Sequence, residues 1–491
     1  MVRYRSSTVT VANEESTAKA FASIPGPTRL PVIGNLHLFS RFGPYSFDKL
    51  YDAYADLHKQ YGPVVRLDLG IKMLLLFSPE DIKKLFYLGE RYPNRPMFEA
   101  LRHYRLKRSD AYSCGGLVSE NGEQWGRLRK AVNFIMVPQF SQSYFTAQAG
   151  VAEDFVSRIH KIADSGREVK DFIEELYRYT EEAIGLICFG KRLGLMSTSG
   201  PQQEFSGQLS RAADDTMQAL ADSLLSFPWW KIFPTPTYKR LVRSQEFFRR
   251  FAEKCVQEAE NKLQEPGQDS GNELKFLQRL FEDKMLKRSD IILLMTEIFS
   301  SGIDATGNAI GFTLYNLSKK PEVQEKLYQD IQKHSMSGLS TDSISKMIYL
   351  KACIQESHRL TPASGGIARI LQSTAVLSGF QVPENVLCIG LQPIISLQEQ
   401  HFSDPLDFKP ERWLNANQTQ YTINSHPYCV LPFSHGIRRC VGQRFAEQEI
   451  RLCLIKIIQN FRVEYEGPDI GSRMRLSLVP DKPLNLKFIK R

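Results

Sequence analysis

The ten residues FSHGIRRCVG near the C-terminus combine a thiol, cations and two glycines in one short loop. Cys440 lies just before a stretch whose apolar periodicity predicts an amphipathic helix. The N-terminus of a helix stabilises a thiolate, because its dipole and its free N–H groups favour negative charge. Gly436 and Gly442 would permit a tight turn and the close approach of a flat ligand. The Arg438 guanidinium could pair with a propionate of haem, and Cys440 could then bind the haem iron as a thiolate.

The same loop fits the pattern FxxGxRxCxG, in which Phe433 supplies the first fixed position. In this pattern the chain resembles the cytochrome P450 family. The resemblance implies haem b (iron protoporphyrin IX) as the cofactor, with Cys440 as the ligand of the iron and the other fixed residues of the loop around the haem. We expect His435 to pack within the loop rather than to bind metal.

The other cysteines carry no comparable signal. The eight cysteines are scattered through the chain and form no CxxC pair. A zinc knuckle or a thioredoxin-type site therefore has no support, and the spacing does not favour a disulfide framework. We expect most of them to be buried free thiols, which is typical of a reducing compartment.

The stretch ESHRL places Glu356 and Arg359 one turn apart on a predicted helix, where the two side chains can pair. The stretches EELYR (Glu175 and Arg178) and EFFRR (Glu246 and Arg249) show the same spacing, and we expect those two pairs to lie on solvated helix faces. The family resemblance implies that Arg412, in the later stretch FKPERW, joins the pair. A buried Arg–Glu–Arg set is costly unless it is fully bonded, so its value would lie in holding the long loop that carries the thiolate.

Trp125 and Arg129 in the stretch WGRLR also lie one turn apart on a predicted helix. They fit the family's WxxxR motif, and Arg369 fits a further position of the family. The resemblance implies that all three contact haem propionates. From the residues alone, a core Trp and a surface Arg would look the same.

The apolar segment SDIILLMTEIFSSGIDATGNAIGFTLYNLSKKPEV predicts a long central helix. Ser289 is placed to cap its start, and Pro321 follows its end. Glu297 and Asp304 interrupt the apolar residues, which argues against a membrane span and favours a buried helix.

The middle of this segment, SGIDAT, resembles the family's oxygen-activation motif [AG]GxDT[TS]. The small residues Ser301 and Gly302 would let the helix pass close to a porphyrin, and the resemblance gives Asp304 a part in proton delivery. Ala305 replaces the Thr of the motif, and Thr306 follows it. Successive side chains on a helix point about 100° apart, so the Thr306 hydroxyl would not occupy the place of the missing Thr hydroxyl. Three interpretations are open. A local helix distortion could bring Thr306 to the site, a hydroxyl or ordered water brought with the substrate could complete proton delivery, or the reaction could be poorly coupled and lose reducing equivalents to peroxide. We favour the second.

The rest of the chain predicts a mainly α-helical protein with small β-sheets. Stretches such as EVQEKLYQDIQKH show helical spacing, whereas PVVRLDLG and PLNLKFIK show strand signals. The polar stretch QEPGQDSGNE indicates a surface loop. No later linker or repeat divides the body, so we expect a single domain. The resemblance implies the cytochrome P450 fold, with the haem between the central long helix and the cysteine-bearing loop.

The N-terminal residues carry Arg3, Arg5 and several hydroxyl groups but no acid, which resembles a mitochondrial transit peptide. A short disordered tail is the alternative. We therefore expect residues 1–22 to be a transit peptide or a tail, and residues 23–491 to form the monooxygenase domain. The tail contains no apolar run long enough to span a membrane.

The net charge of +9 and the pI near 9.0 favour an acidic partner. We find no basic stripe interleaved with aromatic residues, so nucleic acid is not expected. Mitochondrial family members take electrons from an acidic, adrenodoxin-like ferredoxin and its reductase, through basic residues beside the ExxR and CxG motifs. Lys351 and Arg444 fit these positions, while Gln355 and Gln443 occupy the others, so the resemblance implies an altered docking contact. Ordinary surface charges are the alternative interpretation.

Longer stretches, such as EQHFSDPLDFKPERWL and HPYCVLPFSHGIRRC, resemble arthropod mitochondrial members of the family that act on ecdysteroids. The resemblance implies a monooxygenase that uses dioxygen to hydroxylate a steroid, at C-22 of an ecdysteroid precursor. It also implies a peripheral location on the matrix side of the mitochondrial inner membrane, and the aromatic stretch FPWWKIFPTPTY would suit contact with that membrane. The alternatives are another mitochondrial steroid hydroxylase, a haem-thiolate isomerase that needs no electrons, and a non-catalytic haem sensor.

Overall fold

The computed structural model describes residues 17–88, 91–96, 98–225, 227–264 and 274–491. Residues 1–16 of the expected transit peptide or tail, and all but the first residue of the QEPGQDSGNE loop, lie outside the described residues. Helices dominate the described chain and the strands are short, which confirms the prediction of a mainly α protein with small β-sheets.

The secondary-structure elements of the described residues follow the chain in this order. The α-helices are α1 (Leu50–Tyr61), α2 (Pro79–Tyr87), α3 (Glu99–Lys107), α4 (Gly122–Val132), α5 (Pro138–Gln142), α6 (Phe145–Ile162), α7 (Phe172–Phe189), α8 (Pro201–Leu225), α9 (Pro236–Gln264), α10 (Lys275–Phe281), α11 (Arg288–Ser318), α12 (Pro321–Ser335), α13 (Thr341–Lys346), α14 (Ile348–Leu360), α15 (Gln392–Ile395) and α16 (Gln443–Asn460). The strands are β1 (Lys19–Ala20), β2 (Val64–Asp68), β3 (Lys72–Leu76), β4 (Glu168–Val169), β5 (Ile367–Ile370), β6 (Ala375–Leu377), β7 (Phe380–Val382), β8 (Leu387–Gly390), β9 (Phe461–Glu464), β10 (Ser472–Met474), β11 (Leu478–Pro480) and β12 (Leu486–Lys490).

The chain divides into two compact units. Unit 1 comprises the described residues within Met1–Pro96, Gly365–Pro405 and Ser425–Arg439, and unit 2 comprises those within Met97–Ser364, Leu406–Asn424 and Cys440–Arg491. Neither unit is a continuous segment, because the chain passes from one to the other repeatedly. This interleaving explains why no linker composition marks the division in the sequence.

Unit 1 contains a four-stranded sheet in the order β2-β3-β8-β5 and a three-stranded sheet in the order β1-β7-β6. In the smaller sheet, β1 and β7 run parallel, with Lys19 opposite Phe380. The Lys19 N–H donates to the carbonyl oxygen of Gly379 at 2.9 Å. β1 lies within residues 1–22, the segment that we expect to be a transit peptide or a tail, and the boundary at residue 23 stays a prediction.

α2 is fixed at its start and tied to the smaller sheet of unit 1. Pro79 is its first residue, and the hydroxyl of the preceding Ser78 accepts a hydrogen bond from the Glu80 N–H at 3.2 Å. Asp81, in the first turn, accepts from the Ser378 N–H at 2.8 Å, between β6 and β7. These contacts set the direction of α2, whose later turns carry Phe86.

α11 is the central helix of unit 2. It is buried over most of its length and packs against α7, α9, α14 and α16, which confirms the prediction of a buried central helix. Ser289 does not cap it as expected: the helix begins at Arg288, and the Asp290 carboxylate accepts from the Lys287 N–H at 2.9 Å. None of the helices in the described part of the chain combines the length and the hydropathy that a membrane span requires.

Three glycines let α7 approach α11 closely. A Cβ at Gly302 would lie 2.9 Å from the Ile184 side chain, and one at Gly307 would lie 2.7 Å from Tyr177. At Gly311, a Cβ would come within 2.4 Å of the Ile173 side chain. The lack of a side chain at Gly302 therefore lets the two helices pack closely, and the close approach of a porphyrin at this residue stays a prediction.

Two small antiparallel sheets complete unit 2. One has the order β4-β12-β9, and the other is the β10–β11 hairpin. The hairpin carries Ser477 just before β11, and the Leu478 N–H donates to the carbonyl oxygen of Ala363 at 3.0 Å. The hairpin thereby brings a hydroxyl from near the C-terminus to the side of α11.

Candidate active site

Cys440 is exposed, whereas the other seven cysteines are buried. It lies three residues before α16 begins at Gln443. The protein that closely surrounds its sulfur raises the pKa of the Cys440 thiol by desolvation, while the backbone N–H groups of Gly442 and Gln443 and the guanidinium of Arg129 lower it. The thiol thus has an open side together with donors that stabilise its anion, which fits a thiolate bound to a metal.

The two glycines of the cysteine loop serve different purposes. Gly436 has a φ of +73°, in the left-handed region that favours glycine. Gly442 has a φ of −82°, which any residue adopts, so the tight turn that we expected does not require glycine there. A Cβ at Gly442 would lie 3.9 Å from the Cys440 sulfur, which is an ordinary van der Waals contact. Phe433, at the start of the loop, is half-buried.

Trp125 and Arg129 lie one turn apart on α4, and both are buried in unit 2. One Nη of Arg129 lies 3.1 Å from the sulfur of Met136. The charge of Arg129 also acts on the Cys440 thiol. The structure therefore places the predicted propionate partner Arg129 close to the predicted iron ligand.

In unit 1, the cysteine loop and β5 meet at Phe86 of α2. The guanidinium carbon of Arg369 lies 5.5 Å from the centroid of the Phe86 ring, and the His435 ring packs edge-on against it at 5.4 Å. A Cβ at Gly436 would lie 3.7 Å from the same ring. Phe86, which the sequence analysis missed, therefore connects the predicted propionate partner Arg369 to the loop.

Arg369 and Arg438 are buried cations of unit 1. The Arg438 Nε donates to the carbonyl oxygen of Pro93 at 3.1 Å, and Arg369 donates to that of Ala368 at 2.8 Å. Burial, and then the charge of Arg95, lower the pKa of Arg369 to about 10. A buried guanidinium beside a second cation is stabilised by an anion, and a carboxylate of a propionate-bearing ligand has the required charge.

Glu356 on α14 is the centre of a fully bonded, buried cluster in unit 2. Its carboxylate accepts two hydrogen bonds of 2.8 Å from Arg359 and one of 2.9 Å from the Arg412 Nε. It also accepts from the indole N–H of Trp413 at 2.8 Å and from the backbone N–H of Lys409 at 2.9 Å. The structure joins the three residues that we grouped and adds two donors that the sequence did not reveal.

The ExxR pairs of EELYR and EFFRR do not lie on solvated helix faces, contrary to our expectation. Glu175 accepts a hydrogen bond of 3.0 Å from the buried Arg158, and Glu246 accepts one of 2.7 Å from the Tyr104 hydroxyl. Both glutamates are mostly buried. Glu356 differs from them by its complete burial and its five bonds, and not by its local spacing.

Small residues form most of the accessible face of α11. Between Asp290 and Ser318, the residues that are not buried are Ile298, Ser301, Gly302 and Ala305. Their spacing places them on one side of the helix, and Asp304 and Thr306 are buried on either side of this face. α11 is α-helical through this segment, and the local distortion that would move Thr306 stays one of the three interpretations.

Asp304 is held between α11, α7 and the β10–β11 hairpin. Its Oδ1 accepts from the Tyr177 hydroxyl at 3.0 Å and from the Asn308 amide at 3.2 Å, and its Oδ2 accepts from the Ser477 hydroxyl. Burial, and then the charge of Asp304, raise the pKa of Tyr177, so its phenol stays protonated and donates. The sequence analysis identified none of these three donors.

The whole chain, and not only its motifs, has recognisable relatives. The sequence profile of the cytochrome P450 family matches residues 24–488. The chain is a cytochrome P450. Its fold is the P450 fold, its cofactor is haem b, and its activity is that of a monooxygenase.

Several curated P450s are similar to this one along most of their length. The mitochondrial cytochrome P450 302a1 of Drosophila melanogaster is 31% identical over 95% of this chain and 95% of its own. Cytochrome P450 CYP12A2 of Musca domestica is 30% identical over 98% of this chain and 93% of its own. The ecdysone 20-monooxygenase of Drosophila melanogaster is 29% identical over 95% of this chain and 88% of its own.

The donor set fits haem b. Among the described residues, no group of three or more His, Cys, Asp or Glu side chains could hold a metal ion, whereas Cys440 offers one accessible thiol with stabilising donors. Unit 2 contributes the buried cation Arg129, and unit 1 contributes the buried cations Arg369 and Arg438; a guanidinium is suited to pair with a carboxylate such as those of haem. The assignment of each side chain to a particular haem atom stays a prediction.

The predicted redox-partner residues lie on unit 2 with an additional cation. Lys351 is exposed, and its Nζ lies 3.7 Å above the centroid of the Tyr421 ring. Burial of its stem, and then the charge of Arg451, lower the pKa of Lys351. Arg444 is half-buried and lies two turns before Arg451 on α16, so both arginines are on one helical face. The sequence analysis missed Arg451.

Proposed function

We propose that this P450 hydroxylates C-22 of an ecdysteroid precursor in mitochondria, with electrons from a ferredoxin and its reductase. The observation that carries the proposal is the accessible face of α11, where Ser301, Gly302 and Ala305 leave room beside the apolar Ile298 for a bulky apolar substrate. The names of the relatives support the substrate class and the compartment, because one is an ecdysone 20-monooxygenase and another is mitochondrial.

Different residues of the chain would have different roles in the reaction. Haem, when bound, supplies the reductive activation of dioxygen and the transfer of one oxygen atom to a C–H bond. The Cys440 sulfur would hold the iron, and the nearby N–H groups and Arg129 would stabilise its negative charge. Asp304 would pass protons toward the accessible face of α11, because its carboxylate is bonded to hydroxyl groups that can relay them.

The position of hydroxylation tests the proposal. The holoenzyme would be reconstituted with a ferredoxin, its reductase and NADPH, and given ecdysteroid precursors that lack hydroxyl groups at C-22, C-20 or both. We expect a product that carries one ¹⁸O atom from ¹⁸O₂ at C-22, identified by mass spectrometry and NMR. No oxygenated product, or turnover without reductant, would contradict the proposal and favour a haem sensor or an isomerase.

Hydroxylation at C-20 is the second candidate. It is favoured by the similarity to the ecdysone 20-monooxygenase of Drosophila melanogaster, which is close in degree to the similarity with the mitochondrial P450 302a1. The same experiment separates the two, because a substrate that already carries the C-22 hydroxyl is consumed only by a C-20 hydroxylase.

We expect replacement of Lys351 by Gln to weaken ferredoxin-dependent turnover. Lys351 is an exposed cation with Arg451 nearby, so its loss should raise the KM for ferredoxin by about 2- to 5-fold, the effect of one solvent-exposed ion pair. The difference from wild type should shrink as salt is added, since such pairs are screened over about 8–10 Å. Initial rates at several salt concentrations measure this.

Lys239 is the matched control for Lys351, because it is also an exposed lysine of unit 2 but lies on α9. Lys239→Gln removes the same charge and should leave the KM for ferredoxin unchanged. Equal effects of both variants at every salt concentration would show that only the net charge matters, and would remove Lys351 from the docking surface.

The aromatic stretch before α9 is suited to contact a membrane surface. Phe227, Trp229, Ile232 and Phe233 are exposed, and the rings of Phe227 and Trp229 lie 4.8 Å apart. Exposed apolar clusters of this kind mark interaction sites, and Trp favours the membrane interface. We expect Trp229→Ser with Ile232→Ser and Phe233→Ser to weaken co-sedimentation with vesicles by about 10-fold or more, because each apolar side chain contributes roughly 1–3 kcal/mol when buried.

Two exposed methionines elsewhere in unit 2 provide the control for this variant. Met285→Ser with Met336→Ser also removes exposed apolar surface but leaves the aromatic stretch intact. Vesicle binding that is unchanged in the triple variant, or reduced equally in both, would refute the membrane contact of this stretch.

A further inference from the structure

Unit 2 carries a groove with an aromatic floor and a cationic rim, on the outer side of α9. Its volume is about 870 Å³, within the range of pockets that hold small molecules. Its wall on α9 follows one helical stripe that alternates cations with aromatic rings: Arg243, Phe247, Arg250, Phe251 and Lys254. From Arg243 to Lys254 the stripe is about 16 Å long, comparable with a long alkyl chain.

Two cations of the rim form no ion pair with any described residue, and a third has only a long one. Arg243 and Lys254 are exposed and form no ion pair with any residue that the structure describes, and Arg250 lies 3.9 Å from Glu246. Glu246 is itself occupied, because it accepts from the Tyr104 hydroxyl at 2.7 Å and from Arg249 at 3.1 Å and pairs with Arg108. The rim therefore carries an excess of positive charge that an anionic group would neutralise.

The floor of the groove is continuous with the aromatic core. The Phe205 ring of α8 packs against the rings of Phe247 and Phe251, at 6.2 and 5.3 Å between centroids. Phe251 packs in turn against Phe299 on α11, at 5.4 Å. Phe205, Phe247 and Phe251 are only partly buried, so they offer apolar surface to a ligand in the groove.

We infer that this groove binds an amphiphile with an anionic head and a long alkyl chain. Arg243, Arg250 and Lys254 attract the head to the cationic rim, where it pairs with the cations within its reach, and the chain lies over Phe205, Phe247 and Phe251. Charge complementarity selects an anion over a neutral or cationic lipid, and the aromatic floor selects a chain over a bare phosphate or carboxylate. A free long-chain carboxylate and an acidic membrane phospholipid share this chemistry.

Equilibrium dialysis with radiolabelled palmitate, below its micelle concentration, tests the free carboxylate. The holoenzyme is used with an azole ligand saturating the haem, so that the substrate site is blocked. We expect Arg243→Gln with Arg250→Gln and Lys254→Gln to raise the Kd for palmitate by about 10-fold or more, since charge-assisted hydrogen bonds are lost. Hexadecanol, which has the chain without the charge, should bind weakly to wild type and variant alike.

The control variant removes three other exposed lysines of unit 2, by Lys239→Gln, Lys262→Gln and Lys333→Gln. It has the same net charge as the groove variant, so it should bind palmitate as wild type does. Phe247→Ser should weaken palmitate binding while leaving the weak binding of inorganic phosphate unchanged. Both charge variants alter exposed side chains, so a normal unfolding midpoint is expected for each.

Vesicle flotation tests the membrane source of the lipid. Vesicles of phosphatidylcholine are compared with vesicles that also contain phosphatidylglycerol, in a background where Trp229, Ile232 and Phe233 are replaced by Ser. If the groove takes phosphatidylglycerol from a membrane, the groove variant loses binding to these vesicles about 10-fold relative to the control variant. Loss in the palmitate assay alone identifies a free acid as the occupant. Equal behaviour of the groove and control variants in both assays, or displacement of all bound palmitate by the azole, would overturn the inference.

Discussion

Replacement of Glu356 by Gln is expected to destabilise the protein by about 3–5 kcal/mol, the cost of breaking a buried ion pair. The Glu356 carboxylate accepts five hydrogen bonds, from Arg359, Arg412, Trp413 and the Lys409 backbone. The amide of Gln replaces one of the two acceptor oxygens with an NH₂ group, whose N–H donors would face the N–H donors of the cluster. Arg359, which is completely buried, would be left without its counter-charge.

Urea unfolding of the holoenzyme, followed by circular dichroism and by haem absorbance, measures this effect. We expect a lower unfolding midpoint and loss of haem at lower urea concentration. Haem loss is expected because the cluster fixes the 3₁₀ turn Pro410–Trp413, which precedes the cysteine loop in the chain.

The control for Glu356 is the ion pair of Asp342 and Lys346, whose side chains are exposed and lie 2.6 Å apart. Asp342→Asn should cost no more than about 1 kcal/mol, because water replaces the lost partner. An E356Q variant that unfolds at the same urea concentration as D342N would contradict the view that burial makes the Glu356 cluster essential.

The Glu356 cluster also marks how far the sequence predicts the site. Motif order grouped Glu356, Arg359 and Arg412, but nothing in the local sequence indicated that Trp413 and the Lys409 backbone would bond to the same carboxylate. The pairs Glu175–Arg178 and Glu246–Arg249 were wrongly predicted to be solvated for the same reason. Spacing on a helix states which side chains are neighbours, whereas burial depends on elements that arrive from elsewhere in the chain.

Gly302 and the start of α11 at Ser289 also show that residue type alone does not identify the contacting group. The sequence indicated close packing at Gly302, but it did not indicate that Ile184 of α7 would be a packing partner there. Ser289 had the residue type of a cap, yet the Asp290 carboxylate bonds to the Lys287 N–H at the start of α11. The residue types correctly predicted a close contact at Gly302 and a helix start near Ser289. The tertiary structure determines which group makes the contact and which group bonds to the start of the helix.

The fold class was the more predictable part. The apolar segment around SGIDAT could only be a long buried helix, because its length suits a helix and its acids oppose a membrane span. The division into two units was not predictable, because the sequence contains no boundary composition where the chain passes between them. The pairing of the two residues of β1 with β7 was not predictable either, because a strand that short has no sequence pattern.

Replacement of Asp304 by Asn is expected to lower the rate of product formation by about 10²- to 10⁴-fold, the usual contribution of a group that transfers protons. The Asp304 carboxylate is bonded to Tyr177, Asn308 and Ser477, so it is held in one place and connected to two hydroxyl groups. An amide of the same shape keeps the position but cannot be protonated and deprotonated at neutral pH. Steroid binding and haem content should therefore stay near those of wild type.

Three measurements separate proton transfer from a structural role of Asp304. If Asp304 transfers protons, D304N should divert reducing equivalents to hydrogen peroxide and change the pH dependence of product formation, with the unfolding midpoint preserved. Tyr177→Phe removes one donor to the carboxylate and should give a smaller change in the same direction. A D304N variant whose unfolding midpoint falls while the peroxide yield stays unchanged would assign Asp304 to stability alone.

Thr306 provides the matching test on the other side of the accessible face of α11. Thr306 is buried, and on the α-helix its side chain is turned by about 100° from the position that Ala305 occupies. We therefore expect Thr306→Ala to cost little with the native steroid, whose own hydroxyl or a water that it orders would complete the proton path. Ala305→Thr should retain or improve coupling on steroids that lack this hydroxyl, where wild type should leak peroxide. Normal steroid binding with a collapsed product yield in T306A would make Thr306 the working hydroxyl and refute the part assigned to the substrate.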